Sequence, residues 1–169
     1  MESTDMSYRR PLAVALITLV GLVLVPIVRP STLLEAVRFA EHSRAGLTQY
    51  TVRIDDHDIT YLRGGDGPTV LLVHGFSADK DNWTWMSRYL TADYDVIAID
   101  LAGHGESSRL PNASYDIRSQ VERLEAFRAH LDVDRMHLAG NSMGGHISAA
   151  YAIAYPCLLY TSPSPRDRG

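Results

Sequence analysis

Cysteine is almost missing from this sequence: the 169 residues contain one, Cys157. That excludes an intramolecular disulfide and any metal site built from several thiolates. Positive charge is in deficit as well. Sixteen Lys and Arg stand against 20 Asp and Glu, a formal net charge of -4, with no basic patch to reverse the balance. Nucleic acid is therefore not an expected partner. No internal repeat is present. What remains is 46% hydrophobic and 21% charged, the balance of a folded globular chain of about one domain.

Charge is absent altogether from Pro11 to Val28, an apolar run preceded by Arg9 and Arg10. As a helix it would span roughly 26 Å, close to the ~30 Å hydrocarbon core of a bilayer. The expectation is an uncleaved, single-pass N-terminal anchor over residues 1–30. An exported chain with a cleaved signal peptide is the alternative, but Val28-Arg29-Pro30 is a poor cleavage site. A buried core helix fits less well, because the run is apolar on every face. Orientation stays open, since Arg29, Arg38 and Arg44 follow the run.

The other end has no period of either kind. Cys157 to Asp167 matches, residue for residue, the translation of a transposase adapter used in sequencing libraries. Residues 157–169 are accordingly expected to be adapter-derived and are set aside from the fold, with the authentic sequence stopping near Pro156.

Between the ends, strands and helices alternate. Thr32–Ser43 reads as a helix within a linker over residues 31–48. Tyr50–Ile54 and Ile59–Leu62 alternate at period two around Asp55–Asp58, which predicts a hairpin. Thr69–Val73 and Asp95–Ile99 are continuous β-rich apolar runs, as in strands buried on both faces. Helices are expected over Asn82–Leu90 with Asp81 as cap, over Tyr115–Leu131, and over Ser142–Tyr155. Arg135–Ala139 is a further strand. The order implies an α/β fold with a mostly parallel sheet and helices on both faces, occupying residues 49–156.

The chemistry is carried by three segments. Gly140-Asn-Ser-Met-Gly144 is a G-x-S-x-G sequence directly after a strand and opening a helix, the context of a nucleophile elbow. Such a turn strains the serine backbone, and Gly140 and Gly144 remove side chains that would collide around it. Ser142 is then the expected nucleophile, with a helix N-terminus behind it to favour developing negative charge. A glycine-rich helix start capped by a serine is the bland alternative. His74-Gly75-Phe76 follows the strand ending at Val73. An acyl-transfer enzyme needs two N–H groups aimed at the oxyanion. Those of Phe76 and Met143 are the expected pair, with Gly75 allowing close approach and His74 supporting the loop through hydrogen bonds.

The third segment, Asp100-Leu-Ala-Gly-His-Gly-Glu-Ser107, offers Asp100 and His104 as tempting triad partners. Both precede Ser142, whereas this arrangement runs Ser, acid, His along the chain. The segment is therefore read as a structured loop at the edge of the site. His146 is expected to pack, and His42, His57, His130 and His137 have no catalytic context.

With His74-Gly-Phe-Ser-Ala-Asp-Lys-Asp-Asn-Trp83, Asp100-Leu-Ala-Gly-His-Gly105 and Gly140-Asn-Ser-Met-Gly-Gly145, the chain resembles α/β-hydrolase-fold lipases and esterases over roughly Tyr50 to Pro156. The likeness is strongest to membrane-anchored monoacylglycerol lipases and bacterial lipases. The resemblance implies the N-terminal part of an α/β-hydrolase fold preceded by one hydrophobic helix. It implies hydrolysis of a small-molecule or lipid carboxylic ester through an acyl-enzyme on Ser142, with no metal or organic cofactor. The triad acid and histidine, the remaining strands and the lid would lie beyond Pro156. The 169 residues alone are then expected to be inactive, with the Arg135–Ala139 strand left as an aggregation-prone edge. Two other functions stay open: a C–C bond hydrolase of aromatic meta-cleavage products, and a non-catalytic hydrolase-fold binding protein.

Overall fold

The computed structural model describes residues 30–160 together with Val14. Contacts divide the chain into two units, residues 1–40 and 41–169. The apolar run over residues 11–28 lies outside the described residues except for Val14. Among the described residues no helix is long and apolar enough to cross a membrane. The expected linker helix is present as α1 (Pro30–Arg44), and its Leu33, Leu34, Val37 and Phe39 side chains are exposed.

The hairpin forms from β1 (Thr48–Ile54) and β2 (His57–Gly64). Ile54 pairs with His57, so the turn is only Asp55-Asp56 rather than the four residues expected. Asp58 joins the strand because Arg53, directly opposite, holds its carboxylate at 2.9 Å. Asp55 takes φ +49°, a region that aspartate tolerates better than most residues.

Then come β3 (Thr69–Val73), α2 (Thr84–Leu90), β4 (Asp95–Ile99), α3 (Ile117–His130), β5 (Met136–Gly140) and α4 (Met143–Ala154). A 3₁₀ turn over Lys80–Trp83 feeds α2. The cap of that segment is Asp79, whose carboxylate accepts the Asp81 N–H at 3.1 Å, and not Asp81 as the sequence suggested. Asp81 points elsewhere, meeting His42 Nε2 at 2.6 Å.

The five strands form one sheet in the order β1-β2-β4-β3-β5. β4, β3 and β5 are parallel, while β1 to β2 and β2 to β4 are antiparallel. The sheet is therefore mixed rather than mostly parallel. A two-residue turn can only lay β2 antiparallel to β1, whereas α2 is the long crossover between the parallel neighbours β3 and β4, and α3 carries the chain from β4 past β3 to β5.

Strand alternation sorts the core into two layers. Leu71, Val73, Ile97 and Ile99 face Val121, Leu124 and Phe127 of α3 and Ile147 and Tyr151 of α4. Val70, Leu72, Val96 and Ala98 face the other side, where Trp83, Met86 and Leu90 pack with Ala45 and Leu47. Helices thus cover both faces. The outer edge of β5 is partly occupied, since Leu159 bridges to Met136 and the Tyr160 N–H donates to the Met136 carbonyl at 3.0 Å. Residues 159 and 160, which the sequence set aside from the fold, are therefore paired onto the sheet.

Candidate active site

Two residues, Asn141 and Ser142, connect β5 to α4. Turning a strand into a helix in so few residues forces Ser142 to φ +53°, ψ -116°. A non-glycine residue there stores strain of order 1–3 kcal/mol and persists only where its neighbours over-determine it. They do so here. The Asn141 N–H donates to the Val73 carbonyl at 3.1 Å, the Gly144 N–H to Asn141 at 2.9 Å, and the His146 N–H to Ser142 at 3.1 Å. A Cβ on Gly144 would lie 2.2 Å from the Val73 carbonyl oxygen, and one on Gly140 would lie 2.2 Å from that of Gly144. Both glycines are required by backbone contact. Ser142 itself is exposed.

Val73 is in register with Gly140, so the loops after β3 and β5 leave the sheet side by side. Gly75 abuts the serine. A Cβ there would be 3.3 Å from Ser142 Cβ and 3.9 Å from its Oγ. The preceding His74 is buried, and its Nε2 accepts the Leu101 N–H at 3.1 Å. That acceptance leaves the ring proton on Nδ1, which donates to the Gly75 carbonyl at 2.7 Å. The Ala78 N–H reaches the same carbonyl at 3.3 Å. In a trans peptide the C=O and the following N–H point in opposite directions, so fixing Gly75 C=O fixes the Phe76 N–H. Among the described residues, neither the Phe76 nor the Met143 N–H is taken up by a hydrogen bond. The Phe76 ring is exposed and lies edge-on to His104.

Burial pushes the His74 pKa below the ordinary histidine range, partly offset by its bond to Gly75 and by nearby Asp100. With both ring nitrogens engaged, His74 is a neutral structural group. His57 is also shifted down, first by burial and then by Arg123.

Asp100 is fully buried, and its carboxylate is occupied from three sides. Oδ1 accepts the Lys80 N–H at 2.6 Å, and Oδ2 accepts Lys80 Nζ at 3.0 Å and the Glu106 N–H at 2.9 Å. Lys80 is the residue that sequence reasoning passed over. It is the only lysine among sixteen Lys and Arg, and its side chain is 1% exposed. That singularity was the available signal. Segment 100–101 therefore holds the loop after β3 at both ends, through Leu101 on His74 and Asp100 on Lys80.

His146, expected to pack, is exposed instead, because α4 turns that side outward. Among the described residues no group of three or more His, Cys, Asp or Glu could hold a metal ion. Two cavities of about 390 and 420 Å³ lie away from Ser142. One is at the opposite end of the parallel strands, lined by Arg63, Thr69 and Asp95, and the other is at the hairpin tip beside His57 and Arg123.

Comparison with known proteins places this geometry in a lineage. Residues 68–159 match the family model described as alpha/beta hydrolase fold. Monoacylglycerol lipase ABHD6 of Bos taurus is 33% identical over 132 residues, covering 75% of this chain and 39% of the relative. Lipase 1 of Psychrobacter immobilis is 44% identical over 101 residues, covering 58% of this chain and 32% of the relative. A crystal structure of a membrane phospholipase A, a bacterial virulence factor, superposes with a TM-score of 0.78 at 47% identity, covering 89% of this chain and 49% of that one. The chain thus spans less than half the length of each of these relatives.

Proposed function

The chain belongs to the alpha/beta hydrolase fold family, and on that premise we propose that the protein is a lipase-like carboxylic ester hydrolase with Ser142 as its nucleophile. The observation that carries the reading is the strained Ser142 backbone at φ +53°, flanked by two uncommitted N–H groups. In this reading Ser142 Oγ attacks the ester carbonyl. The Phe76 and Met143 N–H groups receive the oxyanion of the tetrahedral intermediate, whose C–O bond to the alcohol then breaks, and water hydrolyses the acyl-enzyme that this leaves. His74 and Gly75 set the Phe76 peptide, while Gly140 and Gly144 set the turn. The names of the lipase and phospholipase relatives support a lipid ester as the substrate class.

A general base and its acid complete such a site, and in this arrangement both follow the serine along the chain. After Ser142 the 169 residues contain one histidine, the exposed His146, and one acid, Asp167, outside the described residues. Our reading is that these 169 residues turn over no ester by themselves. It keeps residues 1–30 as a membrane anchor, 31–48 as a linker helix, 49–156 as the hydrolase portion and 157–169 as adapter-derived.

Fluorophosphonate labelling of a chain extended by the rest of its reading frame tests the nucleophile. Labelling should vanish in Ser142→Ala. Equal labelling of both forms would refute the assignment, and labelling of neither would favour a non-catalytic binding protein. Ser142-dependent turnover of a p-nitrophenyl ester by the 169 residues alone would refute the inactivity.

A further inference from the structure

The helix α2 buries one side and leaves the other bare. Thr84 and Ser87 are buried, and Met86 and Leu90 pack against the sheet. Trp85, Arg88 and Tyr89, spaced i, i+3 and i+4, share the outward face. Trp85 is 65% and Tyr89 62% exposed. Their rings meet edge-to-face at 5.5 Å, and the Arg88 guanidinium lies 5.0 Å from one ring centre and 5.2 Å from the other. Two large amphipathic rings are held ready in water with a cation between them. That composition suits the headgroup level of a bilayer, where Trp and Tyr rings concentrate and a guanidinium meets phosphate.

Chain connectivity selects the bilayer over a protein partner. His42 meets Asp81 at 2.6 Å just before α2, and Thr91 just after it donates to the Ala45 carbonyl at 3.0 Å. Ala45 and Leu47 are buried in the same cluster as Met86 and Leu90. The chain therefore enters the folded unit by lying against α2. From Val28, where the uncharged run ends, to Glu41 is roughly 25 Å of chain, most of it the α1 helix. If that run sits in a bilayer, α2 is tethered within reach of the same surface.

We propose that the Trp85–Arg88–Tyr89 face of α2 seats on the lipid headgroups of the bilayer that holds the anchor. The inference rests on the anchor reading given under the proposed function. The test uses the full chain in vesicles of phosphatidylcholine and phosphatidylglycerol, with and without acyl-brominated lipid. The chain's two tryptophans, Trp83 and Trp85, make the signal separable. In Trp83→Phe, brominated lipid should reduce the remaining emission by roughly half, as for a ring at the headgroup–acyl boundary. In Trp85→Phe, where the part-buried Trp83 remains, it should have little effect. Trp83→Phe that floats with the vesicles yet is unaffected by brominated lipid overturns the inference and leaves the anchor standing. Shielding of Trp85 from aqueous acrylamide without bromolipid quenching overturns it in favour of a protein contact. A chain that does not float with vesicles overturns both readings.

Discussion

Lys80 and Asp100 make a prediction whose size follows from burial. Their side chains are 1% and 0% exposed, with 3.0 Å between Nζ and Oδ2. At an effective dielectric of about 20, charges at that separation attract by roughly 5 kcal/mol. Removing two ions from water costs several kcal/mol each, so the pair as a whole is close to neutral for stability. Losing one partner is another matter. Lys80→Met leaves a buried carboxylate with only the Lys80 and Glu106 backbone N–H groups. Asp100→Asn leaves a buried ammonium facing an amide, with Glu106 at 3.5 Å as its remaining acid. Each single change should cost about 3–5 kcal/mol, a large part of a typical 5–15 kcal/mol total.

The double variant removes both charges and keeps an amide oxygen for one backbone N–H. Its cost should be about 1–3 kcal/mol, that of one unsatisfied buried donor. The two changes therefore couple by roughly 3 kcal/mol or more. Urea unfolding of the four forms, followed by circular dichroism, measures the cycle. If the single costs simply add, or if either single variant is within about 1 kcal/mol of the parent, the buried-charge reasoning is wrong.

Gly144→Ala should unfold the chain or cost at least about 3 kcal/mol, because its Cβ would sit 2.2 Å from the Val73 carbonyl. Gly145→Ala meets its nearest neighbour at 3.3 Å and should stay within about 1 kcal/mol of the parent by thermal unfolding. Ser142→Gly should be more stable than Ser142→Ala by about 1 kcal/mol, since glycine relieves the positive φ; equal stability would mean the turn is unstrained. His74 and His57 both have pKa values pushed down in the fold. Below the ordinary value near 6.5, the unfolded chain therefore binds protons that the folded chain resists, and stability should fall as pH drops through that window. Urea midpoints at about pH 7.5 and 5.5 should differ more for the parent than for His74→Gln. An equal drop would show that His74 does not contribute.

What the sequence disclosed tracks how local each constraint is. Thr69–Val73 and Asp95–Ile99 were legible to the residue, because four consecutive apolar residues in each, Val70–Val73 and Val96–Ile99, mark a strand buried on both faces. The tight turn after β5 was legible because Gly140 and Gly144 mark it in the sequence, although the Val73 carbonyl that excludes a Cβ on Gly144 lies far earlier in the chain. The start of the α2 segment was not. Asp79 and Asp81 are equally good caps, and the choice between them involves His42, 39 residues earlier in the chain. Lys80 was illegible for a similar reason. A lysine is placed in solvent by default, and only a carboxylate 20 residues onward reverses that default.

The same long-range contact explains why Asp100 makes a poor triad acid despite its place beside the site. A catalytic carboxylate must be reachable by a histidine, but Asp100 is fully buried and already holds the Lys80 N–H, the Lys80 ammonium and the Glu106 N–H. Gly105 closes the space further, since a Cβ there would lie 2.3 Å from that carboxyl group. The ion pair contributes little net stability, so its value is positional. One end of the loop over residues 74–80 is held by Leu101 on His74, and the other by Asp100 on Lys80. Between those two attachments lies the Gly75–Phe76 peptide, whose direction decides where one free N–H points. A neutral pair of carbons in place of Lys80 and Asp100 could fill the volume. It could not grip a backbone N–H and a side chain at once, which is what fixes the loop's far end.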